Sequence, residues 1–155
     1  MKSPPLSLMA LTRAQIETVL IARCGGKMTV AGLDGATHDG NNADLVDPIS
    51  ASLFEMGYQL DIGTVTDSVL SIVEGNRISE FLDRAERRCL ENISGNIDTV
   101  NIALGPRRED LNQLAEQVEK AIARLEKKIL LRYGDAPLVG DTIRLDFQEK
   151  NEDYV

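Results

Sequence analysis

The sequence predicts a mainly α-helical protein: a small helical bundle with a long loop, one long seam helix and an extended C-terminal strand or arm. Apolar residues recur at spacings of three and four in several segments, and glycines and prolines separate these segments. Strict apolar alternation occurs near the C-terminus. The chain has 155 residues, 43% hydrophobic and only 4% aromatic, so we expect one largely aliphatic core.

Charge and hydropathy argue against several classes of protein. A net charge of −8 would repel nucleic-acid phosphates, so sequence-specific nucleic-acid binding is not expected. No apolar run approaches the roughly 20 residues that a bilayer-spanning helix needs, so no membrane association is expected. Cys24 and Cys89 lie far apart without a CxxC partner, which favours buried apolar thiols in a reducing compartment.

The chain divides into three predicted parts: a flexible N-terminal arm at residues 1–10, a helical domain at residues 11–134 and an extended C-terminal arm at residues 135–155. Thr12 and Gln15 form a predicted capping box at the start of the first helix. Gly25-Gly26 predicts that this helix ends near Cys24 and that a long loop fills residues 25–46.

The middle of the chain predicts three more helical segments. Asp47-Pro48 is typical of a helix start, with Asp47 as the cap and Pro48 at the first helical position, and Gly57 is typical of its end. Thr66-Asp67 begins the next segment, and Gly75 either kinks it or separates two helices. Apolar residues then repeat from Ile78 to Ile93, and Gly95 is predicted to end that helix. Alternation at three further positions predicts an extended connector: Val100, Ile102 and Leu104.

The clearest helix in the sequence follows this connector. Its apolar positions alternate steps of four and three, as in a coiled-coil seam: Leu111, Ala115, Val118, Ile122, Leu125 and Ile129. Tyr133-Gly134 predicts its end. Farther on, Ile143, Leu145 and Phe147 share one face of a predicted strand that must add to an edge elsewhere, on this chain or another.

The polar stretch AGLDGATHDGNNADLVDP at residues 31–48 is the first candidate for a metal or phosphate site. It does not fit an EF-hand, because Ala36 falls at the third position counted from Asp34 and Asp44 at the sixth counted from Asp39. Its aspartates, asparagines and glycines are typical of turns, and His38 is expected to make loop hydrogen bonds. No metal or cofactor is therefore predicted, and no catalytic constellation is found.

Charged side chains cluster on two predicted helices. Arg84, Arg87 and Arg88 lie on one helix, and Arg107 and Arg108 lie at the positive end of the next, where they are locally unfavourable. We interpret these arginines as candidate contacts with a partner or another subunit, with simple solvent exposure as the alternative. Four carboxylates are placed on a solvated helix face: Glu74, Asp83, Glu86 and Glu91.

Several segments together resemble one family. They are DGNNADLVDPI running on to LFEMGY, then VTDSVL, FLDRAERRCLENISGNID, and GPRREDLNQLAEQVEKAIARLEKKI running on to YG. In their order over residues 10–147 they are similar to the head-to-tail connector, or adaptor, proteins of tailed bacteriophages. The resemblance implies a small helical bundle that forms a ring, usually a dodecamer, beneath the portal, with arms that reach neighbouring subunits. It carries over no functional residue.

The resulting hypothesis is a structural adaptor without enzymatic activity in the neck of the virion, assembled in the host cytoplasm. Its expected partners are copies of itself, the portal protein and further neck or tail proteins. An acidic ring would let DNA pass without adhering to it. The alternative is a cytoplasmic helical binding or regulatory module that acts as a monomer or dimer. An enzyme that uses the acidic loop and a divalent cation ranks third.

Overall fold

The computed structural model describes residues 11–58, 65–103 and 108–134, which form five α-helices and two short 3-10 turns. The helices are α1 (Arg13–Val30), α2 (Val46–Glu55), α3 (Asp67–Leu70), α4 (Ile78–Ala103) and α5 (Arg108–Tyr133). The turns Ala43–Leu45 and Gly75–Arg77 lead into α2 and α4. The described part contains no strand, so the mainly α-helical prediction is confirmed.

Helix α4 is the centre of the bundle, because α1, α2 and α5 all pack against it. Its buried stripe includes Phe81, Ala85, Cys89 and Ile93, the spacing that faces one side of a helix. Matching apolar residues on the other helices complete a largely aliphatic core: Ile16, Leu20, Cys24 and Met28 of α1, Ile49 and Leu53 of α2, and Leu111, Val118, Leu125 and Ile129 of α5.

The predicted start of α1 is confirmed. The Thr12 hydroxyl accepts a hydrogen bond from the Gln15 amide at 3.3 Å, and the Gln15 side chain accepts one from the Thr12 amide at 3.1 Å. These two bonds satisfy two of the backbone donors that every helix leaves free at its first turn.

The predicted end of α1 near Cys24 is wrong, because the helix continues through both glycines to Val30. A Cβ on Gly25 would lie 2.6 Å from the carbonyl oxygen of Gly35, so the missing side chain lets the following loop lie against the helix. The glycine therefore serves a close approach inside the helix instead of ending it. The predicted loop 25–46 shrinks accordingly to residues 31–42.

Helix α2 begins at Val46, two residues before the predicted first helical residue Pro48. Gly57 lies just beyond its end with a φ of +90°. The open question at Gly75 is answered by two separate helices, because a 3-10 turn lies between α3 and α4.

The predicted end of α4 at Gly95 is wrong, and so is the extended connector at Val100 and Ile102. The helix continues to Ala103, and Leu104 lies outside the described residues. Ile93 and Ile97 are both buried, so the apolar stripe continues past Gly95. Packing of this stripe outweighs the ~1 kcal/mol that an interior glycine costs a helix.

The seam helix is confirmed as α5, which ends at Tyr133. The next residue, Gly134, has a φ of +78°. Four seam residues are buried, and Ala115 and Ile122 pack against the core with part of their surface exposed. None of the described helices combines the length and the apolar character that crossing a bilayer requires.

Candidate interaction surface

The loop at residues 31–42 is held by hydrogen bonds among its own polar groups. Asp34 accepts hydrogen bonds from the amides of Ala36 and Thr37, both at 3.0 Å. The Asn42 side chain donates to the carbonyl oxygens of Asp34 and Thr37. Nδ1 of His38 lies 2.9 Å from the carbonyl oxygen of Ala36, as the predicted loop role requires. The polar composition therefore serves turn formation.

The acidic residues of this loop are used as hydrogen-bond acceptors for backbone amides. Asp44 accepts from the Asp34 amide at 2.7 Å, and Asp39 accepts from the Asn41 amide at 3.0 Å. Hydrogen bonds from the Thr37 side chain and from the amides of Thr37 and Ala36 lower the pKa of Asp34. In the parts of the chain that the structure describes, no three His, Cys, Asp or Glu side chains are grouped to hold a metal ion.

A fully buried carboxylate, Glu17 of α1, attaches the end of the loop to the helix. It accepts hydrogen bonds from the amides of Gly40 at 2.7 Å and Asn42 at 3.0 Å, and from Nε of Arg13 at 3.0 Å. Arg13 also donates to the carbonyl oxygen of Asn42 at 2.8 Å. This clamp had no signal in the sequence, because its main partners are backbone amides, which every residue but proline carries.

A second buried carboxylate, Asp83 of α4, joins three helices. It accepts hydrogen bonds from Lys128 Nζ and the Tyr133 hydroxyl of α5, both at 3.0 Å, and from Arg23 of α1 at 3.4 Å. The prediction that Asp83 lies on a solvated face is therefore wrong. Its burial is compensated by two cations and a hydroxyl group, as a buried charge requires.

The remaining carboxylates of the predicted solvated face are accessible to different degrees. Glu74 is exposed, whereas Glu86 and Glu91 are partly buried. Glu86 pairs with Arg23 at 2.8 Å, and Glu91 pairs with Arg88 at 3.5 Å. Both carboxylates therefore take part in ion pairs on the surface of α4.

The predicted arginine cluster forms a ladder of ion pairs between α2 and α4. Arg84 and Arg87 both bond Glu55 of α2. Arg88 bonds Asp47 at the start of α2 at 2.9 Å. Arg84 also bonds Glu80 one turn earlier on α4, at 3.1 Å. The structure therefore supplies acidic partners for all three arginines within the chain, and their role as contacts with another subunit stays a prediction.

The pair between Arg88 and Asp47 changes the acidity of both groups. The hydrogen bond from Arg88, together with one from Asn92 and the positive charge of Arg88, lowers the pKa of Asp47. The same hydrogen bond raises the pKa of Arg88. Asp47 was predicted to cap α2, and it is used instead to join α2 to α4.

A cavity of about 650 Å³ opens between α2, α4 and α5. Its apolar lining comes from α5: Ala123, Ile129 and Leu130. Its polar lining includes the Glu55 pair with Arg84 and Arg87. We call this cavity the α2–α5 groove.

Among the residues that the structure describes, the two most exposed large apolar side chains belong to sequence neighbours of residues that line the α2–α5 groove. Phe54 precedes Glu55, Leu131 follows Leu130, and Phe54 and Leu131 each expose 75% of their surface. Leu130 itself is 52% exposed. Aromatic residues and arginines are enriched at protein interfaces, so the exposed Phe54 and the arginines of the groove are residue types typical of a contact surface.

The other predicted contact residues fall where the structure gives no side-chain description. Arg108 is the first residue of α5, and its side chain is outside the description. Arg107 and the strand residues Ile143, Leu145 and Phe147 lie outside the described residues.

The two cysteines are buried and face each other in the core. Cys24 of α1 and Cys89 of α4 share a hydrogen bond, which together with burial raises the pKa of Cys89. A raised pKa keeps a thiol protonated and unreactive. The prediction of buried apolar thiols is confirmed by their position.

No protein-family model, curated protein or solved structure matches this chain.

Proposed function

We propose that this chain is a structural adaptor of a tailed-phage neck, which assembles with copies of itself into a ring that joins the portal to the tail. One observation carries the proposal. A small, acidic helical bundle carries exposed Phe54 and Leu131, each next in sequence to a residue that lines a groove with arginines on its wall. Exposed apolar side chains next to arginines are typical of surfaces that bind another protein.

The net charge supports the same proposal. A charge of −8 disfavours adhesion of DNA to the protein surface, which suits a ring whose channel DNA must cross. The partners that we propose are copies of this chain in a dodecamer, the portal protein and further neck or tail proteins. In this role the protein works through its surfaces in the virion neck, without catalysis.

The test is native mass measurement and negative-stain imaging of the purified chain, alone and mixed with a portal ring. We expect a ring, either alone or on the portal. A stable monomer or dimer that never joins the portal would exclude the adaptor and favour the helical binding module.

Two matched variants locate the contact surface in the same experiment. Phe54→Ser removes the exposed aromatic ring beside the groove, whereas Val30→Ser removes a 54% exposed apolar side chain from the end of α1. We expect the Phe54 variant alone to lose assembly. Equal assembly by both variants would contradict the placement of the contact surface beside the groove.

A further inference from the structure

We propose that the α2–α5 groove is a docking site for the chain's own C-terminal segment, residues 135–155, before the protein meets any partner. This inference does not depend on the adaptor function. Sequence analysis left open whether the apolar strand at Ile143, Leu145 and Phe147 joins this chain or another. The described residues offer it no strand to pair with, but they do offer a groove that combines apolar and charged lining residues.

The position of the groove favours this occupant. Ile129 and Leu130 line it in the last turn of α5, and the segment leaves the helix at Gly134. Gly134 has a φ of +78°, the left-handed conformation that turns the chain away from the helix axis. The docking segment therefore starts next to the surface that it would cover.

The length of the segment is sufficient for it to turn back along α5. At 1.5 Å per residue, the groove residue Ala123 lies about 16 Å along the helix from Gly134. The nine residues from Asp135 to Ile143 span up to about 30 Å when extended. Ile143, Leu145 and Phe147 can thus reach the groove with chain length to spare.

The pattern of the segment also matches the groove. In an extended segment, Ile143, Leu145 and Phe147 point to one side. Three apolar residues of α5 line the groove: Ile129 is already buried at 4% exposed, Ala123 is exposed, and Leu130 is 52% exposed. Docking removes both apolar surfaces from water.

Charge is compatible with the same pairing at one residue of the groove. Residues 135–155 carry six acidic and two basic residues, a net charge of −4. Arg84 and Arg87 are already paired with Glu55, Glu80 and Glu91. Lys127 is the exposed cation of the groove lining. An acidic segment in the groove can pair with Lys127.

Zero-length carbodiimide cross-linking of the intact chain tests the proposal. This reagent joins a lysine to a carboxylate that it touches. We expect Lys127 to couple to the carboxylates of residues 135–155 at least fivefold more than Lys120, an exposed lysine on the same helix outside the groove. Coupling of Lys128 to Asp83, which lie 3.0 Å apart, is the internal positive control.

A mixture of ¹⁴N- and ¹⁵N-labelled chains separates the possible occupants. Own-chain docking gives cross-linked pairs of a single label. Pairs of mixed label would show a second copy in the groove and overturn the proposal. Equal coupling of Lys120 and Lys127, or no coupling of Lys127 while Lys128 couples to Asp83, would also overturn it.

Matched variants define the contact. Leu130→Asp places a negative charge in the groove, whereas Leu131→Asp places one on the neighbouring residue, which does not line the groove. We expect Leu130→Asp to reduce the Lys127 cross-links at least fivefold and Leu131→Asp to leave them unchanged, with the Lys128–Asp83 cross-link retained in both as proof of folding. Leu145→Ser, a change in the docking segment itself, should reduce the Lys127 cross-links by the same factor. Equal effects of the Leu130 and Leu131 variants would contradict docking in the groove.

Discussion

Two buried carboxylates hold two different regions of this molecule together, and their partners differ in access to water. Glu17 attaches the loop to α1 through two backbone amides and an Arg13 side chain that is itself nearly buried. Asp83 joins α4 to α5 and α1 through long side chains, and those of Arg23 and Lys128 keep 36% and 42% of their surface exposed.

This difference decides what each carboxylate contributes to stability. If Glu17 is removed, the amides of Gly40 and Asn42 have no alternative acceptor unless the loop moves. If Asp83 is removed, Lys128 and Arg23 can swing their charged ends into solvent. Removing a buried polar group costs more stability when its hydrogen-bond partners cannot bond to water in its place.

The largest effect is therefore expected for Glu17→Ala. The change leaves two amide donors without an acceptor and the Arg13 charge without its carboxylate partner, so we expect the free energy of unfolding to fall by about 3–5 kcal/mol. Urea unfolding measures this loss, and amide hydrogen exchange at Asn42 should accelerate in parallel. Asp39→Asn is the control, because Asp39 is an exposed carboxylate whose one hydrogen bond within the described ranges comes from the nearby Asn41 amide. A loss of stability no larger than that of the control would contradict the clamp.

A second substitution disrupts the contact between the loop and α1 through a steric clash instead of a lost charge. Gly35→Ala places a Cβ against the Gly25 carbonyl oxygen and the Thr29 hydroxyl, so the loop must move away from α1. We expect a loss of about 2–3 kcal/mol, typical of overpacking. Gly26→Ala meets nothing within 4 Å and should stabilise α1 by up to ~1 kcal/mol. Thermal unfolding of the two variants gives opposite shifts if the loop contact is as described, and shifts of the same sign would contradict it.

A smaller effect is expected in the second region, for Asp83→Asn. The asparagine keeps one acceptor oxygen, and its basic partners can turn to water, so we expect a loss of about 1–2 kcal/mol. Glu86→Gln is the matched control, because it removes the pair with Arg23 and leaves the α5 contacts intact. If Asp83→Asn destabilised the protein as much as Glu17→Ala, partner accessibility would not be what separates the two regions. Urea unfolding of both variants decides this.

Both clamps lay beyond what the sequence could predict, for different reasons. The spacing of apolar residues predicted the helices α1, α4 and α5. Capping residues predicted the start of α1 at Thr12 and the end of α5 at Gly134. Glu17 accepts hydrogen bonds from backbone amides more than twenty residues away, and the residue types at those positions do not indicate such a bond. Asp83 occupies a position that reads as polar helix surface until α5 covers it.

The glycines failed as helix stops for a related reason. Gly25 has its role because Gly35, ten residues later, lies against it, and a local rule cannot include that contact. Gly95 is tolerated because Ile93 and Ile97 continue the buried stripe on both sides of it. In both places tertiary packing outweighs local propensity. The arginine cluster was predictable because its members lie on one helix. Its partners Glu55 and Asp47 were not, because they belong to another helix.

The smallest effect is expected for the pair between Asp47 and Arg88, in which both groups reach water. The hydrogen bond from Arg88 lowers the pKa of Asp47 in the folded protein below its unfolded value, which is about 3.9 in model peptides. The stability from this pair is therefore fully present above that value and is lost as the pH falls through the folded pKa. Because the Asp47 side chain is 51% exposed, solvent screening limits this contribution to less than ~1 kcal/mol.

Arg88→Gln tests this limit. NMR titration of the variant should show the pKa of Asp47 rising towards its ordinary value, while the pKa of Asp34, which is lowered by the Thr37 side chain and by backbone amides, stays unchanged. An unaltered pKa at Asp47 would assign its shift to Asn92, which bonds the same carboxylate at 2.7 Å. A small change in stability together with a clear change in pKa completes the series from Glu17 through Asp83 to Asp47, because the cost of losing a charge partner falls as the remaining groups gain access to water.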